Sequence, residues 1–163
     1  MVRDTRKISD IDNMHFNKIR DNVDLFLQQS AEKYDQAGLM LLDVAPQDHK
    51  GATSIFKQSK VQTLDIDPKS SATYIADICQ TNDKIIDAET FDIVVCTEVL
   101  EHTLKPFEAV KEIHRVLKVA GVVLISVPFN FRIHGPLPDC WRISEHGLRA
   151  LFHSASGFKI LNL

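Results

Sequence analysis

Cysteine is scarce and unpatterned in this chain. Cys79, Cys96 and Cys140 are the only three, and their separations suit neither a disulfide framework nor a zinc-ligand set, so no metal is expected. A reducing, cytoplasmic setting is expected rather than secretion. The amino terminus, Met-Val-Arg-Asp-Thr-Arg-Lys, has no apolar signal core, and no apolar run reaches membrane-spanning length, so no membrane partner is expected. There is no surplus of basic charge. Nineteen Lys and Arg against 22 Asp and Glu leave −3, and the two signs are interspersed, which argues against nucleic acid as a partner. No glycine-rich G-x-G-x-x-G follows a strand-like run, which counts against a nicotinamide or flavin dinucleotide. Internal repeats and low-complexity tracts are missing as well.

What is present suits one soluble domain. A chain of 163 residues with 44% apolar and 25% charged side chains can bury a core of its own. Its centre is the stretch 91–128. Ile93 to Cys96 is a short apolar run rich in β-branched residues, the mark of a strand buried on both faces. From Pro106 to Lys118 the residues Phe107, Val110, Ile113, Val116 and Leu117 recur at helical spacing, with proline at the start and Gly121 beyond the end. A second apolar run, Val122 to Val127, stops at Pro128. Strand, crossover helix and strand make one right-handed βαβ unit of a parallel sheet. Ligands of such sheets lie beyond the strands' carboxyl ends, which directs attention to 97–103 and 128–142.

Other elements read in the same way. Residues 1–37 form an N-terminal helical segment. A helix is expected from Asp12 to about Tyr34, with a stripe of Ile11, His15, Ile19, Val23, Phe26 and Leu27 that either packs on the sheet edge or covers the ligand as a lid. Leu39 to Val44 reads as the first strand, Gly51 to Ser59 as a short helix, Val61 to Pro68 as the second strand and its exit, and Thr73 to Ile78 as the third. Ser144 caps a helix from Glu145 to Ser154, and Phe158 to Leu163 reads as a sixth strand. The alternation implies an α/β fold with a doubly wound, mostly parallel sheet and helices on both faces.

Phe-Asp-Ile-Val-Val-Cys-Thr-Glu-Val-Leu-Glu-His, followed by Arg-Val-Leu-Lys-Val-Ala-Gly, resembles the fourth strand, following helix and fifth strand of class I S-adenosylmethionine-dependent methyltransferases, of the type 11 small-molecule kind. The resemblance covers roughly 38–163. It implies a Rossmann-like fold, S-adenosylmethionine as cofactor with S-adenosylhomocysteine as product, and a set of binding positions. Asp43 matches the acidic residue that opens the family's glycine-rich turn. Ala45, Gln47 and His49 stand where its three glycines would be, which implies a wider loop or one that meets the ligand with side chains. By resemblance Asp65 accepts the ribose hydroxyls and Ile66 lies beside the adenine. Asp77 accepts the adenine amino hydrogen, Ile78 meets the ring through its backbone, and Cys96, Thr97 and Glu98 close the donor pocket. Asp67 and Asp77 each have a plainer reading as the start of an Asx turn.

The segment after Val127 is the most unusual. Pro128 to Arg142 holds three prolines, one glycine and the ring-bearing Phe129, Phe131, His134 and Trp141. Such a loop walls a substrate pocket with Phe129, Phe131 and Trp141 while Arg132 and Arg142 give polar contacts, unless Trp141 instead plugs the core. Its His-Gly-Pro…Asp-x-Trp-Arg wording resembles a subset of the family that includes methyltransferases of sugars and natural products. His134 and His102 are the candidate general bases, with Asp139 orienting one of them, although His102 also reads as structural. The expected activity is methyl transfer to a small-molecule hydroxyl or amine. The competing reading is a non-catalytic binding module on the same fold. The family's antiparallel last strand is not found. Phe158 to Leu163 would then need a covering neighbour, either the N-terminal segment, another chain in a homo-oligomer, or a continuation of the chain.

Overall fold

The structure is a computed structural model and describes residues 9–46 and 51–163. Five strands, β1 (Met40–Val44), β2 (Lys60–Asp65), β3 (Tyr74–Ile75), β4 (Phe91–Thr97) and β5 (Leu117–Ser126), form one sheet in the order β3-β2-β1-β4-β5. Every pairing is parallel. The order reverses between β1 and β4, so the crevice that receives ligands in such sheets opens beyond Val44 and Thr97.

Side chains alternate across a strand, and this divides the core in two. Leu41, Ile93, Val95 and Leu124 face the helix α1 (Asp10–Tyr34), meeting Leu27, Val23 and Phe26. Leu42, Val44, Val94 and Cys96 face the opposite way, toward Ala109, Val110, Ile113 and Val116 of α2 (Pro106–Val116) and Leu151 of α3 (Glu145–Leu151). Helices therefore cover both faces. The α1 stripe is buried only in part. Ile11 stays 65% exposed and His15 is exposed, because the first turns of the helix run past the sheet. There they meet the 128–142 loop instead, with Asp12 paired to Arg132 at 3.5 Å and the Phe16 and Phe131 rings 6.3 Å apart. Sheet packing and covering of the loop are thus done by different halves of one helix.

Several expected elements are shortened, and each has a local cause. The helix expected over Gly51–Ser59 is one 3-10 turn, Gly51–Ser54. The Asp35 carboxylate accepts the amides of Lys57, Gln58 and Ser59, which holds them away from a helical ladder. The third strand stops at Ile75, since Asp77 accepts the Cys79 amide and turns the chain. β5 begins earlier than expected, with an irregularity that places Phe91 opposite Leu117 but Ile93 opposite Val122.

The sixth strand is a correction. Residues 158–163 form no strand and pair with none. Phe158 packs instead by its ring, 5.2 Å from His114 of α2 and 5.1 Å from Phe152. Gly157 allows this approach, with φ +87° and no room for a Cβ against the His114 ring. The expected homo-oligomer through that strand loses its premise. All five strands among the described residues are parallel, and none is antiparallel. No helix among them is long and apolar enough to cross a membrane.

Candidate active site

The carboxyl ends of β1, β2, β3 and β4 bring the expected cofactor positions to one rim. Asp43 is 3% exposed near the end of β1, and one of its oxygens accepts the Ala52 amide at 2.7 Å. The close approach depends on Gly51, whose φ is +48° and whose absent Cβ would strike that same carboxylate oxygen. Burial pushes Asp43 up to about 6, against the pull of the Ala52 hydrogen bond. Ala45 follows with φ +51°, a left-handed conformation that explains why glycine suits this position. Gln47 and His49 lie outside the described residues.

At the end of β2, Asp65 is buried and accepts the Asp67 amide at 2.8 Å, and Ile66 beyond it is 52% exposed. Asp67 accepts the Lys69 amide and Asp77 accepts those of Cys79 and the Gln80 side chain, so both form the turns that their sequence context also suggested. Ile78 is buried in the core on the α2 face. So is the Cys96 side chain, which leaves only its backbone toward the crevice; burial raises its thiol strongly. Thr97 ends β4. Glu98 follows with φ +55° and accepts the Ser126 hydroxyl at 2.8 Å. Burial raises the Glu98 carboxyl, opposed by that hydrogen bond and by Arg20 of α1 and Arg142.

Beyond Glu98 the chain makes a 3-10 turn, Leu100–His102, and the 128–142 loop folds onto it. The Cys140 and Trp141 amides both donate to the Glu101 carbonyl, at 2.7 and 3.2 Å, and the Trp141 indole donates to the Thr103 carbonyl at 2.7 Å. Trp141 therefore bridges the loop to the turn while remaining 42% exposed, and Phe129 is 66% exposed. Arg142 braces the loop. It grips Asp139 with two nitrogens, at 2.6 and 2.8 Å, and donates to the carbonyls of Phe131 and Arg132. Burial pushes the Asp139 carboxyl up, but the Arg142 and His134 bonds prevail and hold it at about 2.

Three side chains converge where the turn and loop meet. His134 holds its Nδ1 3.0 Å from Asp139, and its Nε2 lies 4.0 Å from Glu101 Oε1. His102 directs Nδ1 to the Pro138 carbonyl at 3.0 Å, and its Nε2 lies 3.6 Å from the same Glu101 oxygen. The two imidazoles meet edge to face with centroids 4.9 Å apart. Glu101 is fully buried, and neither carboxyl oxygen has a hydrogen-bond partner among the described residues. Burial, aided by Glu98 and Asp139, pushes Glu101 up to about 8, and burial lowers His102. The candidate bases His102 and His134 and their orienting Asp139 thus stand together. Glu101 was not among the site residues expected from the sequence. Linear spacing gives no sign of it, since its companion His134 arrives from a loop one crossover later.

A parallel sheet whose switch point is lined by carboxylates and closed by an aromatic loop defines a cofactor-dependent α/β domain. The chain belongs to the methyltransferase domain family, whose profile matches residues 27–125. Solved structures share the fold. An S-adenosylmethionine-dependent methyltransferase from Aquifex aeolicus is 16% identical, with a TM-score of 0.59 over 90% of this chain and 89% of that one. The cyclase SpnF is 20% identical, with a TM-score of 0.61 over 83% of this chain. The CurJ carbon methyltransferase is 14% identical, with a TM-score of 0.58 over 78% of this chain. The chain spans only 57% of SpnF and 44% of CurJ. No curated protein matches the chain significantly.

Proposed function

We propose that this chain transfers a methyl group from S-adenosylmethionine to a small-molecule acceptor, a hydroxyl or amine of a sugar or natural product. The observation that carries the reading is the meeting, at the switch point of a methyltransferase-family sheet, of a carboxylate rim with an aromatic loop that presents paired imidazoles. On the donor side, Asp65 takes the ribose hydroxyls, with Ile66 and the Ile78 backbone beside the adenine and Asp77 near its amino group. Asp43, Ala45 and the Cys96–Glu98 backbone surround the remainder. A buried carboxylate suits the ribose because it offers two acceptor oxygens.

On the acceptor side, Phe129, Phe131 and Trp141 supply apolar walls, and Arg132 lies at the rim beneath α1. Displacement at a sulfonium methyl asks the protein chiefly to align acceptor and donor. It also asks for removal of the acceptor's proton. His134 is suited to this, because the Arg132 carbonyl accepts its Nδ1 proton beside the Asp139 carboxylate and leaves Nε2 bare. His102, fixed likewise by the Pro138 carbonyl, is the second candidate. Arg142 acts through Asp139 as a positioning residue.

The test is incubation of the folded protein with S-adenosylmethionine carrying a deuterated methyl group and a panel of sugar nucleotides and small phenols. Product is read by mass spectrometry. A labelled product whose formation falls at least tenfold in His134→Ala, with cofactor binding intact, is expected. Cofactor binding with no transfer to any acceptor would favour a binding module.

A further inference from the structure

We infer that Glu101, His102 and His134 form a binding site for one divalent transition-metal ion, held by Glu101 Oε1 and the two Nε2 atoms. The inference stands apart from the methyl-transfer reading, because the cation can be titrated with neither cofactor nor acceptor present.

The hydrogen-bond partners of the two rings decide the tautomers. A carbonyl oxygen can only accept, so His102 Nδ1 must donate to Pro138, and a neutral ring then carries a bare lone pair on Nε2. His134 Nδ1 hydrogen-bonds the Arg132 carbonyl at 3.3 Å and lies 3.0 Å from the ionised Asp139 carboxylate, so its Nε2 is bare as well. Both lone pairs converge on a fully buried carboxyl with no hydrogen-bond donor among the described residues. Two bare imidazole nitrogens facing a buried carboxyl that has no hydrogen-bond partner among the described residues are costly in a protein interior.

A shared proton does not resolve this. The gaps of 3.6 and 4.0 Å between Glu101 Oε1 and the two nitrogens exceed hydrogen-bond length. They are close to what a metal needs. Ligands at about 2.0–2.1 Å in tetrahedral array stand roughly 3.3 Å apart, and the three donor atoms already lie within 4.8 Å of one another. Each imidazole is also supported as metal-ligating histidines are, with its other nitrogen donating to a backbone carbonyl. Arg142 does not compete, since its donors go to Asp139 and to loop carbonyls, and Arg20 acts on Glu101 without a hydrogen bond.

Two imidazoles and a carboxylate suit Zn2+, Fe2+, Co2+ or Mn2+ rather than Ca2+. Glu101 closes the inner side, and the half-buried imidazoles leave further positions on the outer side, toward the crevice. Water or an acceptor oxygen bound there would lose its proton more readily. With a cation in place His134 and His102 would act as ligands rather than as bases, and the proton of a metal-bound acceptor oxygen would pass to solvent.

The experiment uses chelator-treated protein, titrated with Zn2+ by calorimetry and with Co2+ by visible absorption. One equivalent should bind, with the absorption of a low-symmetry Co2+ site. His134→Ala and Glu101→Gln should each weaken binding by more than 100-fold. Asp139→Asn, which weakens the contacts of Asp139 with both His134 and the loop-bracing Arg142, should weaken it by about 10- to 100-fold. Circular dichroism and a urea midpoint establish that each variant is folded. Wild-type protein that binds neither ion would overturn the site, and so would folded His134→Ala that binds as tightly as wild type.

Discussion

Asp43 offers a stability test that needs no ligand. Its carboxyl is buried at the end of β1 and has one hydrogen bond among the described residues, from Ala52. The native protein therefore holds the proton more tightly than the unfolded chain, with the carboxyl raised from 3.8 to about 6. A carboxyl raised in this way costs nothing below the unfolded value. Its cost grows as pH rises through the interval between the two values and levels off above the native one. A shift of this size corresponds to about 3 kcal/mol in full, of which roughly 1 kcal/mol falls between pH 5 and pH 7. Asp43→Asn keeps an oxygen to accept the Ala52 amide and removes the charge. Urea unfolding of both proteins at pH 5 and pH 7 gives the double difference. Wild type should lose about 1 kcal/mol more than the variant over that interval. Parallel pH dependences would show that the buried carboxyl is not the source and would refute the reasoning.

Other consequences follow from the same rim and loop. Ala45→Gly relieves the left-handed backbone at φ +51° and should stabilise the fold by about 0.5–1 kcal/mol, read as a higher urea midpoint with an unchanged slope. Trp141→Phe removes the indole bond to the Thr103 carbonyl and should cost about 1 kcal/mol by the same measurement. Trp141 is the chain's single tryptophan, so its fluorescence in the wild-type protein should report any ligand that contacts the loop. An emission spectrum unmoved by saturating ligand would place binding elsewhere.

The strongest sequence signals were those that local chemistry alone decides. Short runs such as Leu39 to Val44 and Ile93 to Cys96, bounded by turn signals and set between helical patterns, read as central strands, and the spacing from Pro106 reads as an amphipathic helix. Less legible were elements decided by a distant partner. Asp35 claims the amides of 57–59, and nothing near those residues announces it. Phe158 to Leu163 has a strand's composition, but the rings of His114 and Phe152 draw Phe158 onto the helices. The candidate site divides along the same line. Positions at strand ends, such as Asp43, Asp65 and Glu98, follow from topology. The grouping of Glu101 with His102 and His134 depends on a loop that doubles back and is held there by Arg142 and Trp141.

The central claim is that this sheet binds S-adenosylmethionine at its switch point, with Asp65 on the ribose. Calorimetric titration of S-adenosylmethionine and S-adenosylhomocysteine into wild-type protein and Asp65→Ala tests it most directly. The account predicts that wild type binds both. It also predicts that the folded variant loses on the order of 1.5–3 kcal/mol, roughly 10- to 150-fold in affinity, the range for hydrogen bonds to a charged group. A folded wild-type protein that binds neither, or a variant that binds both with unchanged affinity, would contradict it.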